Sequence, residues 1–387
     1  MGNGGAANIR IATFNVENLF SRVTFPDTVA PGEDHVGIYQ FDDPEERKLA
    51  RRIVEAAASD DKRQLTALAL IECRADVVCL QEVDNAHALK VFYERYVKPH
   101  LDTAAAAEKK LLLKSARAAG REPTLDEIRA IDRRHYFDWR IVIEGNDGRG
   151  IDVGLMSKYP LKVTSHASRT FADLGVWSDE LTRYVDATDG RDRQLTRNDK
   201  VFKRDCLEVD IDVDGRMLTV FVCHLKSMTP DRERTRPIRY AEALAVRRLV
   251  EARYGADVRD APWLICGDFN DFTEVDGEPE VAADGVSPLH ALAPLLDPDF
   301  AVDLVRRRDA LDRWTTYHAP GDIYSQLDFI LASPALARGN PDAVPDIIRA
   351  GQPYRVRRYT GPRYPRIGFD RPKASDHCPV AVELRLA

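Results

Sequence analysis

Short apolar runs recur along the whole chain, and polar residues directly follow most of them. Each run is short enough to form one buried strand, and turn-forming residues separate the runs. We predict strands at 9–16, 76–81, 139–144, 151–157, 205–213, 217–223, 263–267, 329–331 and 378–382. The pattern therefore indicates a protein built largely from short buried strands.

Longer stretches with helical periodicity lie between some of these strands. We predict helices at 44–58, 85–97 and 237–254, and two more within 103–134 that are separated at Gly120 and Pro123. Thr124 and Glu127 form a capping-box pattern at the start of the second of these two. Pro237 and Gly255 are expected to mark the start and the end of the helix at 237–254.

Other strands follow each other without an intervening helix. Asp214-Gly215 joins the runs at 205–213 and 217–223 as a hairpin turn would, which pure βαβ winding does not produce. Mixed sheets covered by helices, an α/β sandwich, explain both arrangements. No internal repeat or clear linker divides the chain, and we interpret the acidic stretch 271–284 as a surface loop.

The composition narrows the class of protein. Hydrophobic residues make up 44% of the chain, which is enough for a large core, yet no apolar run is long enough to cross a membrane. The net charge of −7 argues against a protein that coats nucleic acid, although it leaves room for a local basic groove.

Six cysteines form no CxxC pair and mostly lie in predicted strands, so we expect small buried thiols. A reducing compartment fits such thiols, and the first residues lack the basic and apolar regions of a signal peptide. We therefore expect a cytoplasmic location. Secretion is the alternative if a signal peptide has been removed from the sequence.

Candidate chemistry lies where the predicted strands begin or end. The residues are Asn15, Glu82, His224, Asp268, Asn270, Asp328, Asp376 and His377. Oxygen and nitrogen ligands on many strand ends are typical of one metal-centred hydrolytic site. The chain has no HExxH and no thiolate pair, which argues against zinc, whereas hard oxygen ligands suit Mg²⁺ or Mn²⁺. Such a site suits phosphoester hydrolysis, in which a base aligns water and an acid protonates the leaving alkoxide.

These motifs resemble, in the same order, those of the endonuclease/exonuclease/phosphatase superfamily. They are Asn15, Leu80-Gln81-Glu82, His224-Leu225-Lys226, Gly267-Asp268-Phe269-Asn270, Leu327-Asp328-Phe329 and Ser375-Asp376-His377. The resemblance implies a deoxyribonuclease-like α/β fold, a four-layer sandwich of two packed mixed β-sheets flanked by helices. One domain is expected over 8–387, with insertions near 20–70, 100–135, 272–290 and 340–372.

The resemblance also implies a role for each residue of the metal and water side. Glu82 is expected to be the principal metal ligand, with Asn15 and Asp376 completing its shell. Asp268 and Asn270 are expected to orient the attacking water and to hold a phosphate oxygen.

Histidine chemistry is implied on both sides of the phosphate. His377 is expected to face the scissile phosphate, with Asp328 fixing its tautomer and favouring the imidazolium. Whether Asp268 or His377 is the formal base stays open. His224 is expected to be the general acid or a phosphate binder on the leaving-group side, and Arg204 resembles a phosphate-contacting arginine.

Two further residues are candidates for supporting roles. Asp152 begins a predicted strand, and pairing with His224 would raise the pKa of that imidazole, as an acid requires. Lys226 would share the strand face of His224 if the strand continued, and would then reach the substrate phosphate. A surface carboxylate and an ordinary exposed lysine are the alternatives.

The segment 351–373 is rich in arginine, with tyrosine and phenylalanine interleaved. Arginines and aromatic rings can grip phosphates and stack on bases, so we expect a polyanionic substrate, DNA or RNA among the candidates. A Mg²⁺-dependent nuclease or phosphodiesterase is the leading hypothesis. A phosphomonoesterase acting on a nucleotide, inositol phosphate or lipid headgroup, and a non-catalytic phosphate-binding module, are the alternatives. The oligomeric state is left open.

Overall fold

The computed structural model describes residues 7–19, 60–148, 150–186, 193–281 and 289–386. Within these ranges the helices are α1 (Asp60–Glu72), α2 (Ala86–Phe92), α3 (Lys98–Ala118), α4 (Leu125–His135), α5 (Arg232–Tyr254) and α6 (Pro334–Gly339). The strands are β1 (Ala7–Leu19), β2 (Val77–Val83), β3 (Trp139–Ile143), β4 (Asp152–Ser157), β5 (Leu161–Ser165), β6 (Val185–Asp186), β7 (Arg193–Gln194), β8 (Cys206–Val213), β9 (Arg216–His224), β10 (Trp263–Asp268), β11 (Glu274–Val275), β12 (Glu278–Pro279), β13 (Val302–Asp303), β14 (Thr316–His318), β15 (Ile323–Ser325), β16 (Asp328–Ala332), β17 (Asp346–Ile347) and β18 (Val380–Leu386).

The first sheet brings the two ends of the chain together. Its strand order is β17-β18-β1-β2-β4-β3. β1 runs parallel to β2 and antiparallel to β18, so that Ile11 pairs with Val77 on one side and with Val382 on the other. Because β18 begins beside the end of β1, the motif that precedes β18 is delivered to the end of β1 that carries Asn15.

The second sheet has the order β13-β16-β10-β9-β8-β5. β8 and β9 are antiparallel neighbours, and the turn between them places Asp214 and Gly215 at positive φ. The predicted hairpin is therefore confirmed. β9 and β10 are parallel, and α5 makes the crossover that such a pair requires.

Apolar side chains alternate between the two faces of each strand, and this alternation creates four layers. Ile11 of the first sheet and Val220 and Ile330 of the second belong to the core between the sheets. On the outer faces, Phe14 packs in a cluster with α1 and α2, and Phe221 packs in a cluster with α5. The predicted sandwich of two mixed sheets flanked by helices is confirmed.

Several predicted elements lie as expected. The helical region predicted at 85–97 consists of α2 followed by a π-helical turn, Tyr93–Val97. The two helices predicted within 103–134 are α3 and α4, and Thr124 and Glu127 form the predicted capping box. All six cysteines are buried free thiols. The helix predicted at 44–58 lies outside the described residues.

The prediction for the start of α5 was wrong. Asp231, not Pro237, precedes the first turn, and its carboxylate accepts a hydrogen bond from the Arg234 amide at 2.9 Å. Pro237 therefore lies inside the helix. A side chain that satisfies an orphan amide defines the start more strongly than the proline does.

The interpretation of 271–284 as a surface loop was also wrong for part of its length, and 282–284 lie outside the described residues. Asp271 is completely buried and pairs with Arg232 at 2.8 Å and Arg239 at 3.1 Å. Glu274 is buried and pairs with Arg313 at 3.1 Å. Arg232 and Arg239 of α5 therefore neutralise Asp271, whereas Arg313, which lies outside α5, neutralises Glu274.

No helix among the described segments is long and apolar enough to cross a lipid bilayer.

Candidate active site

Strand direction explains why residues far apart in the sequence meet at one end of the sandwich. The parallel strands β9 and β10 end at His224 and Asp268, and the antiparallel β16 begins at Asp328 beside them. In the sheet register, Asp268 lies opposite His224 on one side and opposite Asp328 on the other. Three candidate residues therefore form one row across the second sheet.

Asp268 is the centre of the site. Its Oδ2 accepts hydrogen bonds from Asn15 Nδ2 at 2.9 Å and from Asn270 Nδ2 at 3.2 Å, and its Oδ1 accepts the Asn270 amide at 2.8 Å. The same Oδ2 lies 3.6 Å from Nε2 of both His224 and His377. Burial raises the pKa of Asp268 to about 7, with the Asp328 charge adding to the rise and His377 opposing it.

His377 and Asp328 form a buried pair. His377 Nδ1 lies 2.8 Å from Asp328 Oδ2, which leaves the His377 Nε2 directed toward Asp268. Burial alone would lower the pKa of His377, but the carboxylates of Asp328 and Asp268 raise it well above its ordinary value. The two carboxylates thus favour the imidazolium form of His377, and the hydrogen bond to Asp328 fixes the orientation of its ring.

The candidate metal ligands come from the first sheet and from the segment that precedes β18. Glu82 Oε2 accepts the Asn18 amide at 2.9 Å. Burial raises the pKa of Glu82, and the charge of Asp376 raises it further. Desolvation also opposes ionisation of Asp376, but the charges of Lys373, His377 and Lys62 hold its pKa at about 2. The two carboxylates therefore act on each other electrostatically.

Asn15, Glu82 and Asp376 offer two carboxylates and one amide, a donor set that fits a hard divalent ion. Because one of the three is an asparagine, the set is consistent with the described ranges containing no cluster of three or more His, Cys, Asp or Glu side chains able to hold a metal ion. Mg²⁺ is usually held by one or two carboxylates and completes its shell with water and substrate phosphate. A cation here would also relieve the repulsion that raises the Glu82 pKa.

Backbone conformation is strained at this end of the sandwich. Glu82 and Asn270 have φ of 64° and 50°, and Glu17 and Asn18, which follow Asn15, have φ of 48° and 60°. A glutamate in the left-handed region is uncommon, and such residues cluster at functional sites. Glu82 lies at the register shift between Gln81 and Val83 in the β2–β4 ladder, so it stands outside the regular pairing.

Arg204 and Asp152 lie on the His224 side. Arg204 is 2% exposed, its Nε lies 3.0 Å from Asp147 and its Nη1 donates to the Leu225 carbonyl at 3.0 Å. Asp152 is buried and accepts the Gly145 amide at 2.8 Å. Burial raises the pKa of Asp152 to about 6. The pairing of Asp152 with His224 stays a prediction.

Lys226 does not occupy the expected face. β9 ends at His224, so the condition under which Lys226 would share the strand face of His224 is not met. The Lys226 ammonium donates to the Thr229 carbonyl at 3.0 Å and to Ser227 Oγ at 3.1 Å. The chain turns after His224, and the lysine stabilises that turn.

Two residues for which the sequence predicted no role support the site. Ser375 Oγ donates to the Asn15 carbonyl at 2.7 Å and accepts the His377 amide at 3.1 Å, which joins both ends of the chain. Gln352 Nε2 donates to the carbonyls of Ser375 at 3.2 Å and His377 at 3.3 Å. The motif position of Ser375 was a usable signal, whereas nothing local in the sequence distinguishes Gln352.

The arginine-rich segment 351–373 is only partly directed toward the site. Arg363 stacks on Tyr354 and Tyr359 within the segment itself. Arg371 and Lys373 each lie 3.3 Å from Glu17, two residues beyond Asn15. Positive charge therefore reaches the site from the C-terminal end of the segment.

Comparisons with solved structures find chains that align with most of this one at low sequence identity. An AP endonuclease from Leishmania major shares 14% identity, with 98% of this chain and 89% of that chain covered and a TM-score of 0.47. The human Nocturnin catalytic domain with bound sulfate shares 12%, with coverages of 97% and 94% and a TM-score of 0.47. An endonuclease/exonuclease/phosphatase from Beutenbergia cavernae shares 16%, with coverages of 98% and 72% and the same score.

No curated protein matches the chain. The family comparison is more informative, because the sequence model of the Endonuclease/Exonuclease/phosphatase family matches residues 12–377. That range begins before Asn15 and ends at His377, so it includes every candidate residue described above. The chain therefore belongs to the Endonuclease/Exonuclease/phosphatase family.

Proposed function

We propose that this protein is a divalent-metal-dependent phosphoester hydrolase that cleaves phosphodiesters. The observation that carries the proposal is the arrangement around Asp268. One buried carboxylate accepts hydrogen bonds from Asn15 and Asn270 and lies 3.6 Å from the Nε2 of two histidines. A phosphate group bound against this cluster would meet both acid–base and phosphate-binding side chains.

The pKa of Asp268 and the higher pKa of His377 support different roles for these two residues. With a pKa of about 7, Asp268 is ionised in a substantial fraction of molecules near neutrality and can accept a proton from an attacking water. His377 has its pKa raised well above the ordinary value by Asp328 and Asp268, so it stays charged and stabilises phosphoryl oxygen. Asp268 is thus the better candidate for the formal base.

Asn15, Glu82 and Asp376 would hold a Mg²⁺ or Mn²⁺ ion. When bound, such an ion neutralises charge on the phosphoryl group and on the leaving oxygen. These protein side chains supply a negatively charged surface for it, and Lys62 and Lys373 limit that charge on the Asp376 side.

His224 and Arg204 would act on the leaving-group side. His224 lies opposite Asp268 in the sheet and is 2% exposed, so a proton on its ring is protected from bulk water. Arg204, equally buried, adds positive charge nearby. A buried imidazole that protonates an alkoxide is expected to matter most for poor leaving groups.

The test compares bis(p-nitrophenyl) phosphate with p-nitrophenyl phosphate in Mg²⁺ and in Mn²⁺. We expect preferential diester cleavage that EDTA abolishes and that His377→Ala reduces by about 100-fold or more. His135→Ala is the matched control, since His135 pairs with Glu108 on the distant α3–α4 hairpin. Preferential monoester cleavage would overturn the diester assignment, and activity that survives full chelation would overturn the metal assignment.

A further inference from the structure

Glu242 is a buried carboxylate that none of the roles above uses. It lies on α5, is completely inaccessible to solvent, and accepts hydrogen bonds from two backbone amides. Its Oε1 accepts the Lys203 amide at 2.8 Å, and its Oε2 accepts the Lys226 amide at 2.6 Å. A buried carboxylate is retained only where such hydrogen bonds offset the loss of water.

The two amides occupy equivalent places on neighbouring strands. The β8–β9 ladder pairs Cys206 with Cys223 as its last regular pair at this end. Continued in the same register, the ladder would pair Lys203 with Lys226. The strands have separated there, and the Glu242 carboxylate takes the amides that a ladder would otherwise satisfy.

The residues between these two anchors are those of the leaving-group side. Arg204 directly follows Lys203, and His224 lies two residues before Lys226. Arg204 Nη1 and Asn270 Nδ2 both donate to the Leu225 carbonyl at 3.0 Å. The separated strand ends are thus tied to α5, to each other and to β10.

We propose that Glu242 is a positioning residue, which sets the placement of His224 and Arg204 by bridging the two separated strand ends. The inference rests on the proposed role of His224 toward the leaving group. Both carboxylate oxygens must accept, and this requires a carboxylate. Glutamine presents one oxygen and one NH₂ group, so one of the two amides would face another donor.

The experiment uses the full chain and two diesters that differ in their leaving group. Bis(p-nitrophenyl) phosphate releases a nitrophenolate, which needs little protonation, whereas a dinucleoside monophosphate releases an alkoxide. We expect Glu242→Gln to lower kcat about 10- to 100-fold on the dinucleoside substrate and about 3-fold or less on the nitrophenyl diester. Glu242→Asp keeps the charge but is too short to reach both amides, so it should fall between wild type and Glu242→Gln.

Glu208→Gln is the matched control. Glu208 is also a buried glutamate, on β8, but it pairs with His166 and Arg253 and contacts neither anchor amide. Thermal melts of Glu242→Gln, Glu242→Asp and Glu208→Gln compare the stabilities of the three variants, so that a loss of activity can be distinguished from a loss of folding. Equal losses on both diesters, matching those of Glu208→Gln, would mean a merely structural role and overturn the inference. Unchanged kcat on both diesters in a folded variant would overturn it as well.

His224→Ala separates this inference from the proposed function. If His224→Ala loses activity selectively on the dinucleoside substrate and Glu242→Gln does not, only the positioning role is wrong. If His224→Ala loses no more on the alkoxide than on the nitrophenolate, the acid role of His224 fails, and the inference fails with it. A wild-type protein that cleaves neither diester with Mg²⁺ or Mn²⁺ would instead refute the proposed function.

Discussion

Replacing Asp328 by asparagine isolates the charge that keeps His377 protonated. The substitution preserves size and leaves an oxygen that can accept from Nδ1, but it removes a carboxylate whose Oδ2 lies 2.8 Å from that nitrogen. Two unit charges about 4 Å apart interact by about 4 kcal/mol at the effective dielectric constant that describes protein sites. If the imidazolium acts in the transition state, the loss corresponds to a factor of up to about 1000 in rate.

The pH dependence of kcat/KM for bis(p-nitrophenyl) phosphate measures the effect of the Asp328 charge on the protonation of His377. Activity should rise with pH as Asp268 ionises near pH 7, and it should fall only at pH values well above the ordinary pKa of histidine, where His377 loses its proton. In Asp328→Asn the pKa of His377 drops because a favourable charge is lost. The alkaline limb should therefore move to lower pH, and the maximum should fall by about 100- to 1000-fold.

Asp76→Asn is the control for loss of a carboxylate elsewhere. Asp76 immediately precedes β2, so it lies at the opposite end of that strand from Glu82, and it accepts from the Arg10 amide at 2.9 Å. It should leave both limbs of the profile in place. An Asp328→Asn protein that melts normally but keeps its alkaline limb unchanged would refute the view that Asp328 controls the protonation of His377.

Three further results are expected. Glu82→Gln should remove most Mg²⁺-dependent activity and weaken Mg²⁺ binding in isothermal titration, and undiminished binding would exclude Glu82 as a ligand. Asp271→Asn should lower the free energy of unfolding by about 3 kcal/mol in urea melts, because it leaves two arginines without their buried partner; a change near zero would contradict this. Gly267→Ala should prevent stable folding, since Gly267 has φ of 145° and a Cβ would lie 1.9 Å from the Cys223 carbonyl oxygen. Gly339→Ala, with no atom within 4 Å of the added carbon, should express and melt like wild type.

Local chemistry explains which parts of the fold could be predicted from sequence. Thr124 and Glu127 interact across a single helical turn, so their spacing alone predicts the capping box. The strands that carry Glu82, His224 and Asp268 are recognisable because each is an apolar run that ends in a polar residue. The start of α5 differs from the prediction because the Asp231 carboxylate caps the first turn, whereas Pro237 lies inside the helix.

In the candidate site, too, the sequence predicted the residues but not the contacts between distant segments. The order of motifs predicted that Asn15, Asp268 and His377 act together, but not how. Asn15 donates to Asp268 across 253 positions of sequence, a contact that depends on the packing of one sheet against the other. The Gln352 side chain supports the His377 segment by donating a hydrogen bond to the His377 backbone carbonyl. Such a bond leaves no sequence motif by which Gln352 could be recognised.

By itself, the amino-acid sequence determined the strands that carry most of the candidate residues, most of the helices in the described ranges and the set of polar residues at the strand ends, because these depend on interactions among near neighbours. Only the tertiary structure decided which charges are buried and what they touch. Lys226 turns back onto its own loop, Asp271 is enclosed by arginines, and Glu242 bridges two separated strands. Burial and hydrogen-bond partners depend on which distant segments pack together, and periodicity along one segment carries no information about its neighbours.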